Sequence, residues 1–317
     1  MRQSLAQRPL DAVTGELIAI ACPWCGARVE DGGPGSSGRC STCHHAFHVE
    51  RSVLSWTSDT PEAQPRDRWE LVRRQLNPLG SRLSPLRYFT DWRVDQYYRR
   101  TLSDPAVAET WARHYLAGLS VQPGASVLDH GCGRGRNAAL LAQSGFAVAA
   151  QDVRAHAWWD RIGNCRFQRV PAMAPRLPWV DGAFALVLDV GVVHFLEQSQ
   201  LERLILDVHR VLAPGGYWLL LEAHDESYGA SIPRRHCGRL YPLEYIRRLT
   251  RQAGFREIDH RYQGVYAPMV PGLVNFIRKV AWPRAFTVED FGSRLEAMIP
   301  PRRRALWLLR LQKPGHE

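Results

Sequence analysis

The chain has 317 residues, of which 45% are hydrophobic, 10% aromatic and 23% charged. That is enough apolar material for a substantial core and too much for a chain that stays disordered. No run reaches the ~18–20 apolar residues of a membrane span, and the N-terminus shows no apolar stretch with a small-residue cleavage site. A cytoplasmic protein with no transmembrane segment is therefore expected. The formal charge is +10, carried almost wholly by arginine, since Lys279 and Lys313 are the two lysines. Such a surplus favours anionic partners such as RNA, phosphosugars or acidic lipid. It is spread through 66–100, 234–261 and 278–310 with no separate basic tail, the pattern of a solvated basic surface.

Four of the seven cysteines form two knuckles, Cys22-Pro-Trp-Cys25-Gly and Cys40-Ser-Thr-Cys43-His, separated by fourteen residues rich in Gly and Ser. A tight turn with Cys-x-x-Cys offers two thiolates, and two such turns offer the four soft ligands of a tetrahedral zinc site. Structural disulfides are disfavoured in a reducing cytosol. A thioredoxin-like redox motif would want a βαβ pattern that is missing around the first pair. Cys22, Cys25, Cys40 and Cys43 are thus the expected zinc ligands, with His44, His45 and His48 as neighbours able to replace Cys43. The insert reads as a hairpin closing over the metal, and 46–56 as one closing strand. A closed four-cysteine site is structural, not catalytic.

The expected organisation is a zinc ribbon at 15–57, a linker and helical extension at 58–104, and a larger domain at 105–317 with an insertion at 263–303. Within the last, Ser126-Val-Leu-Asp-His130 reads as a buried strand, followed by Gly131-Cys-Gly-Arg-Gly135, a helix from Arg136 and a second strand ending at Asp152. Strand, glycine turn, helix, strand and acid make the first βαβ unit of a doubly wound α/β sheet. Asp152 is placed to accept from ribose hydroxyls. A dinucleotide turn wants G-x-G-x-x-G over pyrophosphate, but here the third glycine comes one residue early and Asp129 precedes the turn. A carboxylate there repels pyrophosphate and suits the cationic methionine end of S-adenosylmethionine.

Four stretches in order resemble the class I S-adenosylmethionine-dependent methyltransferases, over about 105–262. They are Val127–Gly135, Leu177-Pro-Trp-Val-Asp-Gly-Ala-Phe-Ala-Leu-Val-Leu-Asp189, Arg210-Val-Leu-Ala-Pro-Gly-Gly216, and Ala253-Gly-Phe255. The string from Gly131 to Asp152 is similar to the small-molecule branch that includes tellurite-resistance methyltransferases. The resemblance implies a Rossmann-like, seven-stranded doubly wound sheet with an antiparallel last strand. It also implies S-adenosylmethionine contacts from Asp129, Gly131, Cys132, Gly133, Gly135, Asn137, Asp152, Val153, Met173, Ala174, Asp189 and Val190. Two positions depart from the pattern. His130 replaces an aliphatic or small residue, and 170–174 lacks the acid that often holds the adenine amino group, leaving Met173 or a main-chain amide to serve. Trp158 or Trp159 is placed to lie on adenine or to pack in the core.

Methyl transfer needs alignment above all, and a base only when the nucleophile starts protonated. Ligands of open α/β sheets bind at the strand carboxyl ends. There His194, after the fourth strand, and His224, after the fifth, are the candidate bases, with Tyr228, His236 and Cys237 in the loop beyond. The stretch 268–286 mixes apolar and basic residues, suiting a lid over an apolar acceptor, a peripheral membrane contact or a helix packed on the core. The expected activity is methyl transfer to oxygen or nitrogen of a small-molecule, glycan or lipid-like acceptor. The alternatives are an RNA methyltransferase that docks rRNA with its ribbon, and a non-catalytic zinc-ribbon adaptor. Against RNA stands the absence of an Asn/Asp-Pro-Pro-aromatic motif.

Overall fold

The computed structural model describes residues 18–57, 105–226, 239–263, 300–304 and 306–315. The N-terminal strands are β1 (Ile20–Ala21), β2 (Arg28–Val29), β3 (Ser37–Arg39), β4 (Ala46–Glu50) and β5 (Val53–Trp56). There follow α1 (Pro105–Leu116), β6 (Ser126–His130), α2 (Arg136–Gln143), β7 (Ala147–Asp152), β8 (Cys165–Arg169) and β9 (Phe184–Val190). The chain continues through α3 (Gln198–Val211), β10 (Leu212–Ala223), α4 (Leu243–Gln252), β11 (Arg256–Gln263) and β12 (Leu306–Gln312).

β1 and β2 pair with each other; the other ten strands form one sheet in the order β11-β12-β10-β9-β6-β7-β8-β5-β4-β3. The run from β8 through β10 is parallel, and β12 is antiparallel to both β10 and β11, giving the expected doubly wound half with its reversed last strand. The apolar runs are buried as a sheet covered on both faces requires: Val127, Leu128, Leu186, Val187, Leu219 and Leu220 are fully enclosed. α3 and α4 cover one face and α1 and α2 the other. Leu201, Leu204, Ile205 and Val208 make the stripe that α3 lays on the sheet.

Three expectations change. The stretch 46–56 is a hairpin, not one strand: Arg51 and Ser52, with φ of 48° and 76°, form a two-residue turn between Glu50 and Val53. The fourteen-residue insert is not a single hairpin either, because β2 pairs back onto β1 while β3 pairs forward onto β4. The hairpin β4–β5 is also part of the main sheet, which reaches ten strands because β5 adds in parallel to β8. An uncovered β8 would present a row of unpaired backbone groups. After β7 the segment carrying Trp158 and Trp159 holds a short 3-10 turn, Trp159–Arg161. The linker and most of the extension, residues 58–104, lie outside the described residues. So do Tyr228, His236, Cys237, the stretch 268–286 and nearly all of the insertion 263–303. Among the described residues no helix is long and apolar enough to cross a membrane.

The β5–β8 seam is sealed by Trp56, whose indole N–H donates to the carboxamide oxygen of the fully buried Gln168 at 3.1 Å. Gln168 Nε2 has no partner among the described residues. Trp56→Phe keeps an aromatic ring but removes the indole N–H with part of the buried volume and strands that oxygen, so it is expected to cost about 1–3 kcal/mol in urea unfolding. Adding Gln168→Leu removes the stranded group and is expected to restore most of the loss. An unchanged urea midpoint for Trp56→Phe would show that the bond contributes nothing.

Candidate functional site

Strand order reverses where the chain passes from β8 back across β6 to β9, and a doubly wound sheet opens a crevice at such a switch point, here between β6 and β9. Gly131, Gly133 and Gly135 make the turn there with φ of 63°, 54° and 87°. A side chain at Gly131 would strike Val192 and one at Gly135 would strike Ile162, while at Gly133 nothing lies within 4 Å. The outer glycines are thus packed and the middle one borders open space. The main chain of the elbow is held on three sides. Asp129 accepts from the Ala138 amide at 2.8 Å, fixing the first turn of α2. Asp152 accepts from Gly133 N–H at 2.8 Å and from Arg154 N–H at 3.2 Å. The Trp159 indole donates to the Gly133 carbonyl at 2.8 Å. Trp159 is buried and stacks on Phe167 at 4.7 Å, so of its two expected places it takes the core.

The other expected contact residues fall on the same rim or beneath it. Gly131, Cys132, Asp152 and Val153 lie at the carboxyl ends of β6 and β7, and Asn137 lies in the first turn of α2. Cys132 is buried with its thiol pushed up by burial, and its backbone N–H and carbonyl bond to Gln151 and Gly135. Met173 and Ala174 lie on the turn after β8; Met173 is 69% exposed and Ala174 packs against the core. Val190 closes β9 and packs on the α1–α2 side. Asp189 is wholly enclosed, its two oxygens taken by His130 Nδ1 at 2.5 Å and the Trp218 indole N–H at 2.7 Å. It acts from below the crevice. Burial alone would depress the pKa of His130, but the carboxylates of Asp189, Asp152 and Asp129 outweigh it and hold the imidazole above its ordinary value.

His194 sits in a 3-10 turn after β9, and its Nδ1 lies 2.7 Å from Glu222 Oε2. The other Glu222 oxygen accepts the amides of Val192 and Val193, each at 2.6 Å. One buried carboxylate therefore shapes the turn and orients the ring. Glu222 and His130 were not among the expected site residues. The sequence signal for Glu222 is an acid that ends an otherwise apolar strand. His224 is brought to the same end of the sheet but is spent differently: its Nδ1 lies 3.2 Å from the Arg304 carbonyl, and its ring packs 4.6 Å from Tyr262.

At the N-terminus the Sγ atoms of Cys22, Cys25, Cys40 and Cys43 all lie within 4.8 Å of one another. The two knuckles are built alike. Cys22 N–H donates to the Ala27 carbonyl and Cys40 N–H to that of His45, while Gly26 and His44, both at positive φ, donate to Cys22 and Cys40. The Cys22–Cys43 and Cys25–Cys40 separations are 3.4 and 3.5 Å. The edge of a tetrahedron with ~2.3 Å zinc–sulfur bonds is about 3.8 Å, so the donor set fits that metal. Cys43 keeps its place in the set; His45 lies behind it, Nδ1 at 3.4 Å from its sulfur, stacked on Trp24.

Burial pushes the carboxyl of Asp129 up to about 8 against the Ala138 amide, which lowers it, with Asp189 and Asp152 adding to the rise. Its proton is therefore held more tightly in the folded chain than in the unfolded one, where it leaves near 3.8. The stability this provides is complete below pH ~4 and is lost as pH rises to about 8. Asp129→Asn is expected to flatten the fall of Tm across that window in ligand-free protein, followed by thermal unfolding at stepped pH. A profile parallel to the parent's would contradict the assignment.

Residues 127–216 match the family model described as a methyltransferase domain. An uncharacterised methyltransferase of Synechocystis sp. is 37% identical over 113 residues, 35% of this chain and 53% of that protein, so the chain spans about half the length of this relative. Among solved structures, the Burkholderia thailandensis 1,6-didemethyltoxoflavin-N1-methyltransferase superposes with a TM-score of 0.44 at 18% identity, covering 88% of this chain and all of that one. Phosphoethanolamine N-methyltransferase 2 of Haemonchus contortus gives 0.47 at 16% identity, over 69% and 56%. The family match begins one residue into β6 and ends at the Gly-Gly turn of β10, so it covers the parallel strands β6, β7, β8 and β9 and the start of β10.

Proposed function

We propose that the protein is an S-adenosylmethionine-dependent methyltransferase acting on an oxygen or nitrogen of a small-molecule, glycan or lipid-like acceptor, with zinc held by Cys22, Cys25, Cys40 and Cys43. The observation that carries the reading is the glycine elbow: its middle residue borders open space, and Asp129, Asp152 and Asp189 gather around it. The charge of Asp152 and Asp189 favours a cationic nucleoside over a diphosphate, while Asp129, its carboxyl pushed up to about 8, acts through its hydrogen bond to the Ala138 amide. The cofactor, when bound, supplies an electrophilic methyl group on a sulfonium. Asp152 would hold its ribose, and the elbow amides and the 173–174 turn would border the rest.

The chain's own contribution is alignment and proton handling. Glu222 accepts from Nδ1 of His194 in the tautomer whose lone pair is at Nε2. A hydroxyl acceptor can deliver its proton there as its bond to the methyl carbon forms and the carbon–sulfur bond breaks, whereas an ammonium acceptor must deliver it first, to free the attacking lone pair. The amides of Val192 and Val193 keep Glu222 in place and so fix the ring.

Titration calorimetry with S-adenosylhomocysteine is expected to give saturable heat, and with NAD none; the reverse would refute the cofactor. With a responsive hydroxyl acceptor found by labelled methyl transfer, His194→Ala is expected to lower kcat by about 10²–10⁴-fold at unchanged cofactor affinity. An unaltered kcat would remove His194 as base. Incorporation into RNA, with none into small molecules, glycans or lipids, would replace the acceptor class.

A further inference from the structure

The cysteine cluster joins two parts of the ribbon that the backbone ladders keep apart. β1 and β2 form their own two-stranded sheet, whereas β3, β4 and β5 belong to the ten-stranded one. A ladder of two residues per strand is marginal by itself. The four sulfurs converge between the knuckle of β1–β2 and the knuckle of β3–β4.

The first knuckle is also clamped to the chain between β8 and β9. Ala21 N–H donates to the Pro178 carbonyl at 3.0 Å, and Arg176 N–H donates to the carbonyl of Pro23, which stands between Cys22 and Cys25, at 3.1 Å. Ile20 forms a bridge with Trp179. Gly26 lies so close to the Arg176 guanidinium that a Cβ there would fall 2.4 Å from it. Trp179 in turn is fully buried, and its indole N–H donates to the Gln151 carboxamide at 2.5 Å. Gln151 is the residue before Asp152, and its carbonyl receives the Cys132 N–H at 2.9 Å. Asp152 then holds Gly133. Bonded contacts thus run from a ligating knuckle to the middle of the elbow without a gap.

We propose that the first knuckle and Trp179 are positioning elements of the cofactor crevice, so that zinc at the four cysteines and S-adenosylmethionine bind cooperatively. This rests on the methyltransferase reading above. The metal ties the β1–β2 knuckle to the main sheet; the knuckle fixes 176–180, and Trp179 steadies Gln151 beneath the elbow. Linkage requires the effect to be mutual: bound cofactor must also retain the metal.

The test uses the full chain, zinc-loaded or stripped by chelation, with S-adenosylhomocysteine as probe. Stripping is expected to weaken its binding about tenfold, within the 5–150-fold span of typical couplings, and the probe is expected to slow zinc loss to a chromogenic chelator. Two variants each lose one buried hydrogen bond. Trp179→Phe is expected to weaken the probe in zinc-loaded protein, whereas Thr250→Val, whose hydroxyl donates to the Arg247 carbonyl within α4, is expected to leave it unchanged. This pair decides the matter even if stripped protein unfolds. Probe bound equally by loaded and stripped protein, or weakened alike by both variants, overturns the coupling and leaves the methyltransferase reading standing. No binding to the loaded parent overturns both.

Discussion

A backbone that turns through three positive-φ glycines gives up more conformational entropy than any other stretch of its length and has few side chains with which to hold itself. Here two carboxylates do the holding from outside the turn. Asp129, on the strand before, caps the helix that follows through Ala138, and Asp152, one strand over, takes the amide of Gly133. The outer glycines are then packed against Val192 and Ile162, so the turn has one geometry and its middle faces open space. The crevice, its charge and its access all follow from those two hydrogen bonds.

Holding a turn with buried carboxylates has an electrostatic consequence. Asp152 and Asp189 concentrate negative charge at the switch point, which together with burial pushes the Asp129 carboxyl up to about 8, and His130 is the nearest counter-charge. An anionic bridge is repelled from such a floor and a sulfonium is drawn to it, because the low-dielectric surroundings screen neither. The two histidines at the strand ends divide in the same way by partner. His194 is oriented by a carboxylate whose other oxygen holds the Val192 and Val193 amides, while His224 is tied to the Arg304 carbonyl and packed on Tyr262.

The ribbon is part of the sheet's solution to its own edge. β8 is the last parallel strand of the doubly wound half, and β5 supplies the missing ladder. The four cysteines gather the two knuckles at one point, β5 covers β8, and the first knuckle braces the chain on either side of Trp179. A module that reads in sequence as an appendage is structurally a continuation of the doubly wound sheet.

The sequence by itself determined the βαβ unit, the elbow, the acids at 129 and 152 and the paired knuckles. Each of these is local: a glycine spacing, a helical apolar stripe in α3 or a Cys-x-x-Cys turn carries its geometry within a few residues. Only the tertiary structure decided how distant side chains share partners. The Arg51-Ser52 turn carried no glycine or asparagine to announce the β4–β5 hairpin. Nothing near Val53 foretold pairing with Phe167, because an edge strand accepts any neighbour whose register buries the same face. Asp189 read as a crevice residue by position, yet His130 and Trp218 enclose it. Glu222 became the orienting carboxylate only once β10 lay beside β9. Hydrogen bonds between residues tens of positions apart depend on which strands lie side by side, and that is fixed by packing of the whole sheet and not by any local pattern.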